Sequence, residues 1–385
     1  MKSALAILLV VVLSSCGGSG SSAPLAGYKE AQSVIHASGF GAIPNDEIDD
    51  TEELQLAANA AAVGRLVLDG GTYLVSASLV LPSGCHVVGP ATIKATTAMS
   101  GPVISAPSCS QTKIEALTVD GNSLAHFGIS LSNGSGNHVN GCYVHDTVQA
   151  GIILDTETNA TLSWCSVVSC GREGYASNHG ILIYSITAET SNILVSGCTV
   201  ISAFRKGITT YCADTGSVRN VRIVDCATIG CGLGGVYSAG APGSTPQRDI
   251  VVHSLHAEGS YLNVELANVI GGSISGCTIS DSTGAPGIEI NACQNIIVSG
   301  NVISRSHQHG IKLSNGSASI SVTGNHVSRS NMGDHGFAAG IDLNSATASL
   351  VTGNIISESG LPIASHGIID EMSSTTNVIS GNVTP

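Results

Sequence analysis

From Gly128 the chain returns ten times to a short phrase in which a small residue precedes two apolar positions separated by an outward one, as in Gly128-Ile-Ser-Leu131, Gly151-Ile-Ile-Leu154, Gly180-Ile-Leu-Ile183, Gly287-Ile-Glu-Ile290 and Gly340-Ile-Asp-Leu343. A second phrase interleaves with it, from Gly141-Cys142-Tyr-Val144 through Gly276-Cys277-Thr-Ile279 to Gly353-Asn354-Ile-Ile356. The step from second phrase to first is 9 residues (Cys142 to Gly151, Asn301 to Gly310) and the return is 14 (Gly128 to Cys142, Gly340 to Asn354), so the bare repeat is 23 residues. Two short strands per repeat, Gly and Asn at the corners and almost no helical periodicity predict a parallel β-helix, each repeat forming one rung about 4.8 Å above the last. Ile129, Leu131, Ile152, Leu154, Ile288 and Ile290 are expected to face the shared core, because side chains along a strand alternate between its faces.

Ahead of the repeats, Asp49-Asp50-Thr51 introduces a helical run from Glu52 to Ala62, with Asp50 or Thr51 suited to the N-cap and Glu52 and Glu53 favourable in the first turn. This short helix is expected to plug the open end of the coil, where an unpaired strand edge would otherwise be exposed. The chain thus divides into a leader at 1–15, a Gly/Ser tether at 16–27, an N-terminal cap at 28–64 and the all-β coil at 65–385.

Composition sharpens this picture. Charged residues are 11%, aromatics 3%, and Gly supplies 47 of 385 positions, as tightly cornered rungs with small outer faces require. The net charge of −13 argues against a general affinity for nucleic acid. Of the twelve cysteines, Cys142, Cys165, Cys198, Cys226 and Cys277 share one rung position that later passes to Asn301, Asn325, Asn354 and Asn382. Stacked side chains pointing in parallel are poorly placed for disulfides, so buried free thiols followed by an amide ladder are expected. At the start, Lys2 and the apolar run from Ala4 to Leu13 form an export signal too short to span a bilayer. Leu13-Ser14-Ser15-Cys16 resembles the bacterial lipobox, which implies cleavage before Cys16 and lipid attachment there, with the membrane as a partner only through that anchor. Ordinary secretion after cleavage nearby is the alternative.

Phe40-Gly41-Ala42, Asp49-Asp50-Thr51, Gly70-Gly71-Thr72-Tyr73 and Gly84-Cys85-His86-Val87-Val88-Gly89 together resemble the N-terminal signature of the pectate-lyase-like superfamily, which includes rhamnogalacturonase-like, epimerase-like and tail-spike β-helices. The resemblance implies a single-stranded right-handed parallel β-helix and action on a polysaccharide. Pro44-Asn45-Asp46 replaces the usual Gly-Asp-Gly, a departure confined to the cap.

Lengthened turns mark the expected cleft. Gly180 to Cys198, Gly207 to Cys226 and Gly235 to Leu255 are 18, 19 and 20 residues, predicting one wall, and Cys165 to Gly180 is 15 rather than 9, predicting a loop from Gly171 to Asn178 opposite it. Between them the outward residues of the strand phrase include Thr209, Tyr237, Glu265, Glu289, Lys312 and Asp342, flanked by Asp155, Tyr184, Tyr211 and Asn291. Arg205 and Lys206 are adjacent cations in a chain with only 14 Lys and Arg.

Lyase or epimerase chemistry on a uronic acid requires a neutralised carboxylate, a base for the adjacent proton and an acid for the leaving oxygen or opposite face. Arg205 and Lys206 suit the first two roles, and His179, Tyr184 or Tyr211 the third. Tyr237, Glu265, Glu289, Asp155 and Asn291 are candidate substrate contacts. His179-Gly180-Ile181-Leu182 resembles a His-Gly-Phe element of mannuronan epimerases, whose longer Tyr-Gly-Phe-Asp-Pro-His motif has no counterpart here. Hydrolysis would instead pair Glu265 with Glu289, about one rung or 5 Å apart, or Glu289 with Asp342 two rungs apart. The bland readings are an ion-pair ladder through Glu289, Lys312 and Asp342, and corner packing for His179, since His309 and His366 also precede Gly. Calcium, which the resemblance allows, has one modest candidate in Asp155 with Glu157, whose ordinary reading is solvated surface charge; metal binding by the cysteine ladder is a remote alternative, and no other metal site is expected. A non-catalytic carbohydrate-binding or adhesion β-helix is the alternative to an enzyme.

Overall fold

The computed structural model describes residues 33–241, 243–333, 338–357, 366–370 and 376–384. The expected leader at 1–15, the tether with Cys16 and the first residues of the cap lie outside the described residues. The coil is a parallel β-solenoid. Twelve strands, from Leu79–Val80 to His366–Ile369, stack rung by rung in one sheet, and the second strand phrase belongs to a further 24-stranded sheet that wraps the remaining faces. Ile129, Ile152, Ile181, Ile208, Val236, Val264, Ile288, Ile311 and Ile341 pair in unbroken parallel register. All of them are buried, as are Leu131, Leu154 and Ile290, so the expected inward set forms the core. Each fully buried aliphatic side chain of this kind contributes roughly 1.5–3 kcal/mol.

The corner before the Cys/Asn column explains the Gly of the second phrase. Gly141, Gly197, Gly276, Gly300, Gly324 and Gly353 all have φ between 61 and 66°, a left-handed conformation that glycine adopts without steric cost. Beyond that corner Cys142, Cys165, Cys198, Cys226 and Cys277 are buried free thiols. The amide ladder follows as expected: Asn301 Nδ2 donates to Asn325 Oδ1, Asn325 Nδ2 to Asn354 Oδ1 and Asn354 Nδ2 to Asn382 Oδ1, each at 2.9 Å.

The helix spans Thr51–Ala60. It stops short of Ala62 because Val63, at φ 75°, turns the chain into the first rung. Leu54, Ala57 and Ala58 are buried against the coil's end. Asp50 occupies the N-cap position, yet its carboxylate accepts from Ile43 N and Leu74 N, and the Thr51 N–H donates to Asp49 Oδ1 instead. Asp50 therefore ties the cap to the strand Thr72–Val75 rather than capping the helix.

The three lengthened turns differ from expectation. Much of the extra length extends the strands themselves, to His179–Ser185, Lys206–Cys212, Gly234–Gly240 and their partners Glu189–Ser196, Ser217–Val224 and Gln247–His253. Behind them a buried clasp forms, in which Thr210 Oγ1 donates to Gln247 Oε1 at 2.7 Å and Gln247 Nε2 donates to the carbonyls of Thr210 and Ala239.

Candidate functional site

One cleft of about 770 Å³ lies on the outer face of the twelve-stranded sheet, lined among others by Ile153, Asp155, His179, Tyr184, Arg205, Lys206, Tyr211 and Tyr237. Strand register builds it. Ser130, Ile153, Leu182, Thr209, Tyr237, Glu265, Glu289, Lys312 and Asp342 form one outward column, and Ser132, Asp155, Tyr184 and Tyr211 the next. Leu182 and Thr209 are only 4% and 1% exposed although they point away from the core, which shows how deeply the floor is covered. Ala176 and Ser177 of the predicted loop Gly171–Asn178 supply one wall. Among the described residues none of 186–188, 213–216 or 241–246 lines the cleft, so the turns expected to form the opposite wall do not border it. The loop is held in shape by Asn178, whose Nδ2 donates to the carbonyls of Arg172 and Tyr175, while Tyr175 packs edge-on against His126 and beneath the Arg172 guanidinium.

Arg205 and Lys206 meet in this cleft, and among the described residues neither makes an ion pair. Arg205 Nη1 donates to Ala176 O at 3.2 Å, tying the cation to the wall. Lys206 Nζ lies 2.7 Å from the centre of the Tyr237 ring. The ring face favours the ammonium form, as does Glu265, but burial outweighs both and, with Arg205, lowers the amine to about 7. Burial and then Glu265 push the Tyr237 hydroxyl up to about 12. His179 is buried, Thr209 Oγ1 lies 3.2 Å from its Nδ1, and desolvation followed by the charges of Lys206 and Arg205 lowers it to about 3. The imidazole is thus neutral at physiological pH. Tyr184 and Tyr211 stack at 5.8 Å with 17° between their planes, an aromatic platform beside the cations. Burial, then Asp155, holds Tyr184 above its usual range, so its phenolic proton is retained at neutral pH.

The remaining candidates continue the face beyond the cleft. Glu265 and Glu289 occupy adjacent rungs, and burial followed by the Glu289 charge holds Glu265 above the usual carboxylate range. Asn291 lies in the neighbouring column, its Oδ1 accepting from Asn315 Nδ2 at 2.8 Å. The expected ion-pair ladder is not formed. Glu289, Lys312 and Asp342 are in register, but Asp342 is fully buried and its Oδ2 faces His309 Nε2 at 3.4 Å. This burial removes Asp342 from the solvent face and so from any hydrolytic pairing with Glu289. His309 Nδ1 accepts from Ala339 N at 3.1 Å, a packing role at the position equivalent to His179; the His366 side chain lies outside the described residues.

The calcium candidate also dissolves. Thr156 sits at φ 55° and breaks the strand's alternation, so Asp155 faces the cleft while Glu157 turns into the interior. Glu157 Oε2 accepts from Gly134 N and Oε1 from Asn137 Nδ2, and burial raises it to about 7; it is not solvated surface charge. Asp120, His145 and Asp146 form a group that the sequence reading missed, because Asp120 is one rung from the other two and only register brings them together. Lys94 pairs with Asp120 at 3.0 Å and His145 with Asp146 at 2.8 Å, so each acid there already has a partner. Asn178 was likewise missed; no spacing in the sequence marks it as the clasp of the wall.

Comparison with known proteins supports the architecture. No curated protein matches the sequence. Among solved structures, a Geobacillus virus protein aligns over 85% of the chain at 16% identity with a TM-score of 0.58, and this chain spans only 62% of that protein. The A-module of an Azotobacter vinelandii mannuronan C-5 epimerase aligns over 91% of this chain and 99% of its own at 16% identity and a TM-score of 0.59. A surface adhesin of Streptococcus pneumoniae aligns over 83% and 92% at 13% identity with a TM-score of 0.54. At such identities the likeness is one of fold, and that fold serves an epimerase and an adhesin alike. A family model described as the right handed beta helix region matches residues 71–223 and 229–384, and the chain belongs to that family.

Proposed function

We propose that the protein is a polysaccharide-active enzyme that removes the proton beside the carboxylate of a uronic acid ring, leading to elimination or epimerisation. The observation that carries this reading is the pair of cations that, among the described residues, form no ion pair in a cleft walled on one side, one of them a buried amine lowered to about 7. Arg205 holds the substrate carboxylate, and its guanidinium charge stabilises the enolate as it develops. The free amine of Lys206 takes the proton from the adjacent carbon. The electron pair of the broken C–H bond then forms the ring double bond as the glycosidic C–O bond breaks, and the leaving oxygen receives a proton from Tyr184 or Tyr211. In epimerisation the same carbanion is reprotonated from the opposite face. Neutral His179 orients the floor through Thr209, and the stacked tyrosines offer a ring-sized platform. A polysaccharide partner also accords with the epimerase neighbour, which shares the fold.

Incubation with uronate-bearing glycans is expected to raise absorbance near the ultraviolet edge as unsaturated ends form, or to invert the sugar without cleavage. Lys206→Met is expected to lower either rate at least ~100-fold with an unchanged melting curve. Binding without turnover in the wild-type protein would replace this reading with adhesion, and loss on Glu265→Gln but not Lys206→Met would replace it with hydrolysis. Export with lipid attachment at Cys16 belongs to the same proposal; metabolic labelling with a fatty acid that is absent from Cys16→Ala tests it.

A further inference from the structure

The charged residues along the outer face of the twelve-stranded sheet, in the cleft and beyond it, are spaced, not scattered. Counting rungs from the strand Lys206–Cys212, whose first residue follows Arg205, the next strand carries Tyr237, the second Glu265, the third Glu289 and the fourth Lys312. Counting the other way, the first strand carries Tyr184 and the second Asp155. Cationic groups thus stand at the origin and four rungs on, while acids occupy the second rung on either side and the third toward the C-terminus. Among the described residues Lys312 makes no ion pair, although Glu289 and Asp342 are its register neighbours on either side; Asp342 is buried against His309. That Glu265 and Asp155 are both held above the usual carboxylate range, each by burial first, marks their rungs as poor places for a further negative charge.

A glycan lying along the groove advances about one ring per rung, since rungs repeat every ~4.8 Å. A homopolymeric uronan would set carboxylates over Asp155, Glu265 and Glu289 together. A strictly alternating polymer does no better, because its uronates recur at every second ring, over Asp155 and Glu265. A chain with one uronate in four avoids all three acids and meets a cation at each uronate.

We propose that the groove reads charge spacing and takes a heteropolysaccharide whose uronates recur about every fourth ring, one at Arg205 and the next at Lys312, with uncharged rings between. This rests on the uronate reading above and adds the substrate class to it. Homopolymeric uronans are poor ligands, and Lys312 is a specificity-determining residue four rungs, about 19 Å along the coil axis, from the strand that Lys206 begins.

Calorimetric titration of the wild-type protein with three octasaccharides tests the proposal: a homopolymeric uronan, an alternating uronate and N-acetylhexosamine chain, and two repeats of a linear tetrasaccharide bearing one glucuronate. The third is expected to bind at least ten-fold more tightly than the others at low salt, with the gap narrowing as salt is raised. Lys312→Met should weaken the third about five-fold or more while leaving a single tetrasaccharide repeat unaffected, and Glu265→Gln should improve the alternating chain. If the homopolymer or the alternating chain binds as tightly as the third, or if Lys312→Met changes nothing, the spacing proposal falls while the uronate reading stands. If no acidic glycan binds and none is turned over, both fall together.

Discussion

Lys206 offers the most direct check on the chemistry, because its behaviour can be read without any substrate. An unburied lysine amine titrates near 10.5, and at neutral pH only about one molecule in 3,000 carries the free base. With the group lowered to about 7, half of the molecules do. The chain has six lysines, so carbon-13 labelling of the ε position gives a spectrum simple enough to follow from pH 5 to 11. One signal, absent in Lys206→Met, is expected to move with a midpoint near 7. Two perturbations then test the cause. Glu265→Gln removes the carboxylate that favours the ammonium, so the midpoint should fall below 7. Tyr237→Ala opens the amine to water, and because burial is the largest cause of the shift, the midpoint should rise toward 10 even though the ring's own attraction for the cation is lost. If no lysine signal moves between pH 6 and 8, or if Glu265→Gln raises the midpoint, the account of Lys206 as a base poised by desolvation is wrong.

Two further outcomes concern the scaffold. Asn325→Ala removes the acceptor used by Asn301 N and Nδ2 and the donor to Val298 O and Asn354 Oδ1, all buried, and should cost about 3–4 kcal/mol in denaturant unfolding, where Cys226→Ala in the thiol part of the same column costs about 1. Glu157, raised from 4.5 to about 7, keeps a proton in the folded state that the unfolded chain has released; its contribution is therefore fully present below pH 4.5 and is lost as pH rises through 7, by up to about 3 kcal/mol, and Glu157→Gln should flatten the stability profile across that window.

The 23-residue beat determined the fold by itself, since a period of that length with two short strands and glycine at fixed corners leaves one way to bury every apolar position against its counterpart one turn away. Register followed, and with it the Asn ladder, the inward isoleucines and the adjacency of Glu265 to Glu289, because stacking equivalent positions is a matter of counting. What counting could not supply was the path of chain between the strands. The turns beside Gly180, Gly207 and Gly235 lengthened strands instead of raising a wall, Thr156 in a left-handed corner sent Glu157 inward while Asp155 stayed outside, and Asp342 was covered and given to His309. Those outcomes depend on backbone angles at single residues and on which loop folds over which rung. Only the tertiary structure settles them, and through burial it also sets the proton affinity of Lys206, on which the proposed chemistry turns.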